Sequence, residues 1–153
     1  MRTTVTWEEP GPAPPPSTPA VAAIMRRTGR RDTAPELALR RELHRRGLRY
    51  LVDRTPPGTN RRRRADLVFR GARVAVFVDG CFWHSCPVHL HLPKANADWW
   101  RVKLASITAR DRDTDAQLAG AGWRSHRVWE HEDVVEAADR VERLVRGVRR
   151  PVR

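Results

Sequence analysis

Apolar positions after Thr33 recur at helical spacing. Leu39 and Leu43 stand at i and i+4, and Thr33-Ala34-Pro35-Glu36 has the spacing of a capping box with a proline inside the first turn. The pattern predicts a helix to about Arg46, stopped by Gly47, with Glu36 on the same inward face as the two leucines. Leu48–Val52 predicts a strand, and Asp53–Arg64 a loop rich in Pro, Gly and Arg. Ala65–Phe69 and Arg73–Asp79 are β-branched or aromatic runs joined by Arg70-Gly71-Ala72, which reads as a β-hairpin. Asn96 can cap a second helix from about Ala97 to Ala119, with Trp100, Leu104, Ile107 and Leu118 as its stripe and Gly120 and Gly122 ending it. Trp123–Trp129 predicts another strand, interrupted by Ser125 and His126, and Glu132–Val145 a closing helix. The order α-β-β-β-α-β-α implies an α/β domain whose mixed central sheet is flanked by helices.

Composition adds a tail and a partner class. Residues 1–20 hold six of the twelve prolines and no apolar periodicity, so they read as a disordered, Pro-rich tail before a single domain over 21–153. All but Lys94 and Lys103 of the 30 basic residues are Arg, against 18 acidic residues, for a net charge of +12. Such a balance favours a polyanion, and the planar guanidinium fork suits phosphate, although biased codon usage also raises Arg content. No apolar run is long enough to span a bilayer, no signal peptide is visible, and two cysteines five positions apart make no disulfide framework. The expectation is a cytoplasmic chain with reduced thiols and no membrane partner.

The densest chemistry lies in Val78-Asp79-Gly80-Cys81-Phe82-Trp83-His84-Ser85-Cys86-Pro87-Val88-His89. Cys81, Cys86 and His89 are zinc-ligand types, and a closed tetrahedral site needs a distant fourth. His91, His126 and His131 are the candidates; His131, directly after a predicted strand, is preferred. The alternative is two free core thiols and surface histidines. Asp66 is a carboxylate inside an apolar strand, placed opposite about Val76 if the turn centres on Gly71, with Asp79 ending the partner strand. A magnesium ion held by carboxylate and backbone carbonyl would suit phosphodiester hydrolysis; the alternative is an ion pair with one of Arg61–Arg64. Phe82, Trp83, Trp99 and Trp100 could stack on bases, or simply pack, which the spacing of Trp100 with Leu104 and Ile107 favours for that residue. His84 could accept a proton or be a bystander, and Glu36 could serve only its capping box. HExxH, PCxxC, Walker and GxSxG patterns are absent.

Four motifs, in order, carry a family resemblance. Met25-Arg26…Arg31-Asp32-Thr33-Ala34-Pro35-Glu36, Val76–His84, Trp100 with Arg110-Asp111-Arg112, and Gly122-Trp123-Arg124…Val128-Trp129-Glu130 closely resemble the very short patch repair endonucleases over about residues 22–135. The resemblance implies a restriction-endonuclease-like fold with a structural Zn2+. It implies Mg2+-dependent nicking 5′ to the T of a T:G mismatch left by 5-methylcytosine deamination. It implies double-stranded DNA as partner, a functional link to a cytosine-5 DNA methyltransferase, a monomer, and a bacterial, nucleoid-associated location. By the same resemblance, Asp66 and the Val78 carbonyl hold magnesium, His84 is the general base, and Glu36 reaches the site. Asp79, where some members carry histidine, is an auxiliary acid or base. Cys81, Cys86, His89 and His131 hold zinc. Phe82, Trp83 and Trp100 wedge into the DNA, with Met25 and Arg26 also contacting it. The approach Gly58–Ala65 is longer than in the family and lacks its proline, and Ser125-His126 replaces apolar strand. A same-fold endonuclease with another DNA target and a silent zinc-stabilised DNA-binding module are the rival readings.

Overall fold

The computed structural model describes residues 6–26, 31–59 and 62–147. Its elements are helix α1 (Pro19–Arg26), helix α2 (Ala34–Arg45), strands β1 (Leu51–Arg54), β2 (Ala65–Phe69) and β3 (Val74–Asp79), helix α3 (Ala97–Gly120), strand β4 (Arg124–Trp129) and helix α4 (Val134–Gly147). They fall into two compact units. One takes the described residues up to Arg26 with Gly80–Asp113, and the other takes those from Arg31 to Asp79 with the described residues from Thr114 on. Among the described residues no helix is long and apolar enough to cross a membrane.

The unit that starts at Arg31 holds the sheet, in the order β1-β2-β3-β4. β1, β2 and β3 pair antiparallel and β4 joins β3 in parallel, so the sheet is mixed, as its pattern implied. β3 is apolar without alternation because both its faces are covered. Val74 and Val76 join Leu39 and Leu43 of α2 and Ala137, Ala138, Val141 and Val145 of α4 on one face. Ala75 and Phe77 pack with Val68, Leu118 and Trp123 on the other. Arg46 ties α2 to α4, donating Nη1 to Asp139 at 2.6 Å and Glu142 at 3.0 Å and Nε to Glu42 at 2.9 Å.

Two predicted strands begin later than the apolar pattern suggested, for one shared reason. Gly47 at φ +83° ends α2, its N–H reaching the His44 carbonyl, while the Leu48 N–H reaches back to the Leu43 carbonyl at 3.1 Å. Gly122 at φ +82° ends α3 in the same way, with the Trp123 N–H on the Leu118 carbonyl at 2.8 Å. Both are Schellman closures, in which the residue after glycine turns into the core. Leu48 and Trp123 are therefore helix stops, buried to 6% and 4% exposure, and β1 and β4 start at Leu51 and Arg124.

Other boundaries shifted for local reasons. β3 starts at Val74 because Arg73 adopts φ +56° and donates to the Arg70 carbonyl, closing the hairpin turn. The register sets Leu67 against Val76, so Asp66 faces Phe77 and not Val76. α4 starts at Val134, after Asp133, whose Oδ1 accepts the Val135 and Glu136 N–H groups at 3.0 Å each. The capping box at α2 is not formed as predicted. Thr33 makes no side-chain cap, and Glu36 Oε2 takes the N–H of Asp32 at 2.9 Å, where φ is +60°.

In the other unit α1 is an element the apolar pattern did not predict. Thr18 Oγ1 accepts the Val21 N–H at 3.1 Å and Pro19 opens the helix, a cap-plus-proline start that lay inside the predicted tail.

Leu43 is 0% exposed at the heart of the α2–α4 face. Leu43→Ala is expected to destabilise the protein by about 3 kcal/mol through lost burial and a residual cavity, read as a lowered urea midpoint at unchanged m-value.

Candidate active site and metal ligands

The sheet unit gathers the carboxylates. Asp66, from β2, accepts the Val78 N–H of β3 on Oδ2 at 2.7 Å. Arg64, one of the arginines offered as its alternative ion-pair partner, instead bonds the Asp53 carbonyl at 2.8 Å and pairs with that carboxylate, and Arg63 donates to Thr114 Oγ1 at 3.1 Å. Arg61 lies outside the described residues. Burial pushes the Asp66 carboxyl up to about 6 against the opposing Val78 hydrogen bond, and the negative charges of Glu36 and Asp79 push the same way, with Arg40 opposing.

Those two neighbours have cationic partners. Glu36 is 6% exposed and receives Arg40 Nη2 at 3.3 Å. Asp79 is 4% exposed and receives Arg127 Nη1 on both oxygens at 3.1 and 3.2 Å. Arg127 also holds Asp115 and lies 4.4 Å over the Phe77 ring centroid. An all-oxygen set of Asp66, Glu36 and the Val78 carbonyl, with one carboxylate crowded by like charge, fits a hard divalent cation such as Mg2+.

The other unit holds the loop after β3. Its backbone closes on itself through Cys86 N–H to the Cys81 carbonyl at 2.8 Å and Leu90 N–H to the Cys86 carbonyl at 3.1 Å. The Sγ atoms of Cys81 and Cys86 and a ring nitrogen of His89 lie within 4.8 Å of one another. Burial opposes the Cys86 thiolate. The Val88 and His89 backbone donors, together with the His89 and Cys81 side chains, outweigh it and hold this thiol below its ordinary value. Two buried thiols beside an imidazole suit a soft-ligand ion such as zinc. His131, the preferred fourth ligand, belongs to the sheet unit, in the turn after β4, its ring stacked on Trp129. His91 is exposed in the loop unit, and His126 stands inside β4 opposite Val76.

His84 sits in the same loop, and its Nδ1 meets Asp111 Oδ2 of α3 at 2.5 Å. A proton on Nδ1, shared with the carboxylate, would make Nε2 the acceptor, the tautomer a general base needs. Asp111 appeared in the sequence only within Arg110-Asp111-Arg112. Nothing in a separation of 27 residues from His84 marked it as a partner. Arg40 and Arg127, which hold Glu36 and Asp79, were likewise unmarked.

Phe82, Trp83 and Trp100 form one ring cluster with centroids 5.3–5.9 Å apart, Phe82 edge-to-face with both tryptophans and those two tilted to each other. Trp100 is only 1% exposed, whereas Phe82 and Trp83 are half-buried. Trp100 thus backs the other two rings. Met25 and Arg26 close α1, with Arg26 exposed.

A carboxyl raised from 3.8 to about 6 destabilises the metal-free fold. The penalty is absent well below the unfolded value of 3.8, grows as pH rises towards 6 and is complete above it, because the unfolded chain ionises first. Asp66→Asn is expected to keep the Val78 hydrogen bond and stabilise the chelator-treated protein at pH 7.5 by up to about 3 kcal/mol. The gain should shrink several-fold at pH 4 in parallel urea titrations.

Residues 18–89 match the family model described as DNA mismatch endonuclease Vsr. The chain is 44% identical over 114 residues to the type II nicking enzyme V.NaeI of Lentzea aerocolonigenes, covering 74% of this chain and 69% of that protein. It is 39% identical over 111 residues to the type II nicking enzyme V.XorIIP of Xanthomonas oryzae pv. oryzae, covering 71% and 78%. It is 36% identical over 108 residues to the DNA mismatch endonuclease Vsr of Escherichia coli K12, covering 69% and 66%. By these likenesses, this chain belongs to the Vsr family.

Proposed function

We propose that this protein is a magnesium-dependent DNA endonuclease that nicks one strand 5′ to the T of a T:G mismatch. The observation that carries the reading is Asp66, a buried carboxylate crowded by Glu36 and Asp79, in a chain whose relatives are named nicking enzymes and a mismatch endonuclease. Asp66 and the Val78 carbonyl would hold Mg2+, with Glu36 reaching the same site. When bound, the ion would neutralise phosphate charge and lower the pKa of water. His84 accepts the proton of the attacking water at Nε2, and Asp111 keeps the ring in that tautomer. Asp79, with its carboxylate engaged by Arg127, acts as an auxiliary group.

Phe82 and Trp83, backed by Trp100, are the wedge. A mispaired step is cheaper to unstack than a matched one, by up to a few kcal/mol, so the rings favour mismatches. Met25 and Arg26 add contacts to the DNA. The mixed sheet with a parallel β4 supports a restriction-endonuclease-like fold. A T:G mismatch arises where 5-methylcytosine deaminates, which ties the enzyme to a cytosine-5 DNA methyltransferase and to the bacterial cytoplasm. It acts as a monomer.

Cys81, Cys86 and His89 hold a structural Zn2+, with His131 as fourth ligand.

End-labelled duplexes differing only in T:G, U:G or T:A at one position test the activity. Magnesium-dependent nicking of the T strand at T:G is expected, and His84→Ala should lower the rate by roughly 10²–10⁴-fold. Equal cutting of T:A would replace this reading with another target. Protein purified without chelator should carry one zinc per chain. Cys81→Ala or His131→Ala should lose it and melt at markedly lower temperature, because structural zinc contributes folding free energy, while His91→Ala and His126→Ala keep it.

A further inference from the structure

The N-terminal arm makes contacts that neither the fold nor the proposed chemistry uses. In a chain with 30 basic and 18 acidic residues, two adjacent glutamates, Glu8 and Glu9, stand in its Pro-rich start. Glu9 Oε1 accepts Trp7 Nε1 at 2.5 Å and Arg110 Nη2 at 3.3 Å. The Arg110 guanidinium carbon lies 5.9 Å from the Trp7 ring centroid. Two residues on, the Gly11 carbonyl accepts Trp99 Nε1 at 2.9 Å. These contacts lie within one compact unit and tie the arm to both ends of the stretch of α3 from Trp99 to Arg110.

The chemistry of the Glu9 contact is that of a backbone phosphate. A guanidinium donates to a carboxylate oxygen as it does to a phosphate oxygen. The side chains of Arg110 and Glu9 are 53% and 57% exposed, so solvent and a competing anion reach both. Arg110 immediately precedes Asp111, which holds the base His84. Resting on the reading of this chain as a DNA-acting nuclease, we propose that Arg110 is a contact for a DNA backbone phosphate and that Glu9 is its internal stand-in. The arm lies on Arg110 in the free protein, and a duplex phosphate displaces it. Phosphates carry no sequence information, so the competition weakens binding to every duplex alike. It therefore lowers the background of unproductive encounters on matched DNA.

Fluorescence polarisation with a labelled, fully matched duplex at low salt tests this on the full-length chain. The proteins are wild type, Glu9→Gln, Arg110→Gln and the double variant. Exposed ion pairs are weak, so Glu9→Gln is expected to tighten binding about threefold. Arg110→Gln should weaken binding and reduce the slope of log affinity against log salt by about 0.9, the loss of one phosphate contact. The double variant should bind like Arg110→Gln alone. An unchanged affinity for Glu9→Gln overturns the proposal. So does a Glu9→Gln gain that persists in the Arg110→Gln background, since it would reflect net charge and not this contact. A wild type that binds no duplex at all overturns the nuclease reading itself, a result distinct from the other two.

Discussion

Leu67 stands opposite Val76 in the β2–β3 ladder, and that pairing places the Asp66 carboxylate where it accepts the Val78 N–H. A slip of one residue would send Leu67 and Phe69 to the wrong face and carry Asp66 away from β3. The register is held because β3 is buried on both sides, with valines against α2 and α4 and Ala75 and Phe77 against Leu118 and Trp123. A strand so enclosed has no solvated face for polar chemistry. The polar side chain of β3 is accordingly confined to its C-terminal residue, Asp79.

Three carboxylates near one another must be compensated, and the sheet unit does this unequally. Glu36 has Arg40, and Asp79 has Arg127, which is itself shared with Asp115 and spread over the Phe77 ring. Asp66 has a backbone N–H and the more distant charge of Arg40. Among the described residues, Asp66 is the one of these three with no short ionic contact of its own, and its carboxyl is the one raised to about 6. The neighbouring arginines keep the cost of assembling three acids from falling on all of them.

The loop unit answers a different constraint. A short segment carrying Cys81, Cys86 and His89 closes on itself through its backbone, which brings the two thiols and the imidazole together. Trp100 is buried beneath Phe82 and Trp83, so the aromatic pair is supported from below by a ring and not left to rotate in solvent. On the neighbouring stretch of α3, Asp111 meets the His84 ring, and Arg110 meets the arm.

Local rules in the sequence were sufficient for the mixed sheet, the hairpin around Gly71, helices α2, α3 and α4, and the cluster Cys81, Cys86, His89, because periodicity and short spacing are local properties. The Thr18-Pro19 start of α1 was equally local but was masked by the prolines before it. Tertiary structure decided what depends on partners far along the chain. Leu48 and Trp123 close helices and do not open strands, since Gly47 and Gly122 direct them into the core. Arg63 and Arg64 turn to Thr114 and Asp53, and Asp111 meets His84 across 27 residues of sequence. Residue types suited to metal binding and proton transfer were legible from the chain alone. Which of them carries an uncompensated charge was not, because burial and the positions of Arg40 and Arg127 set it only once the sheet has formed.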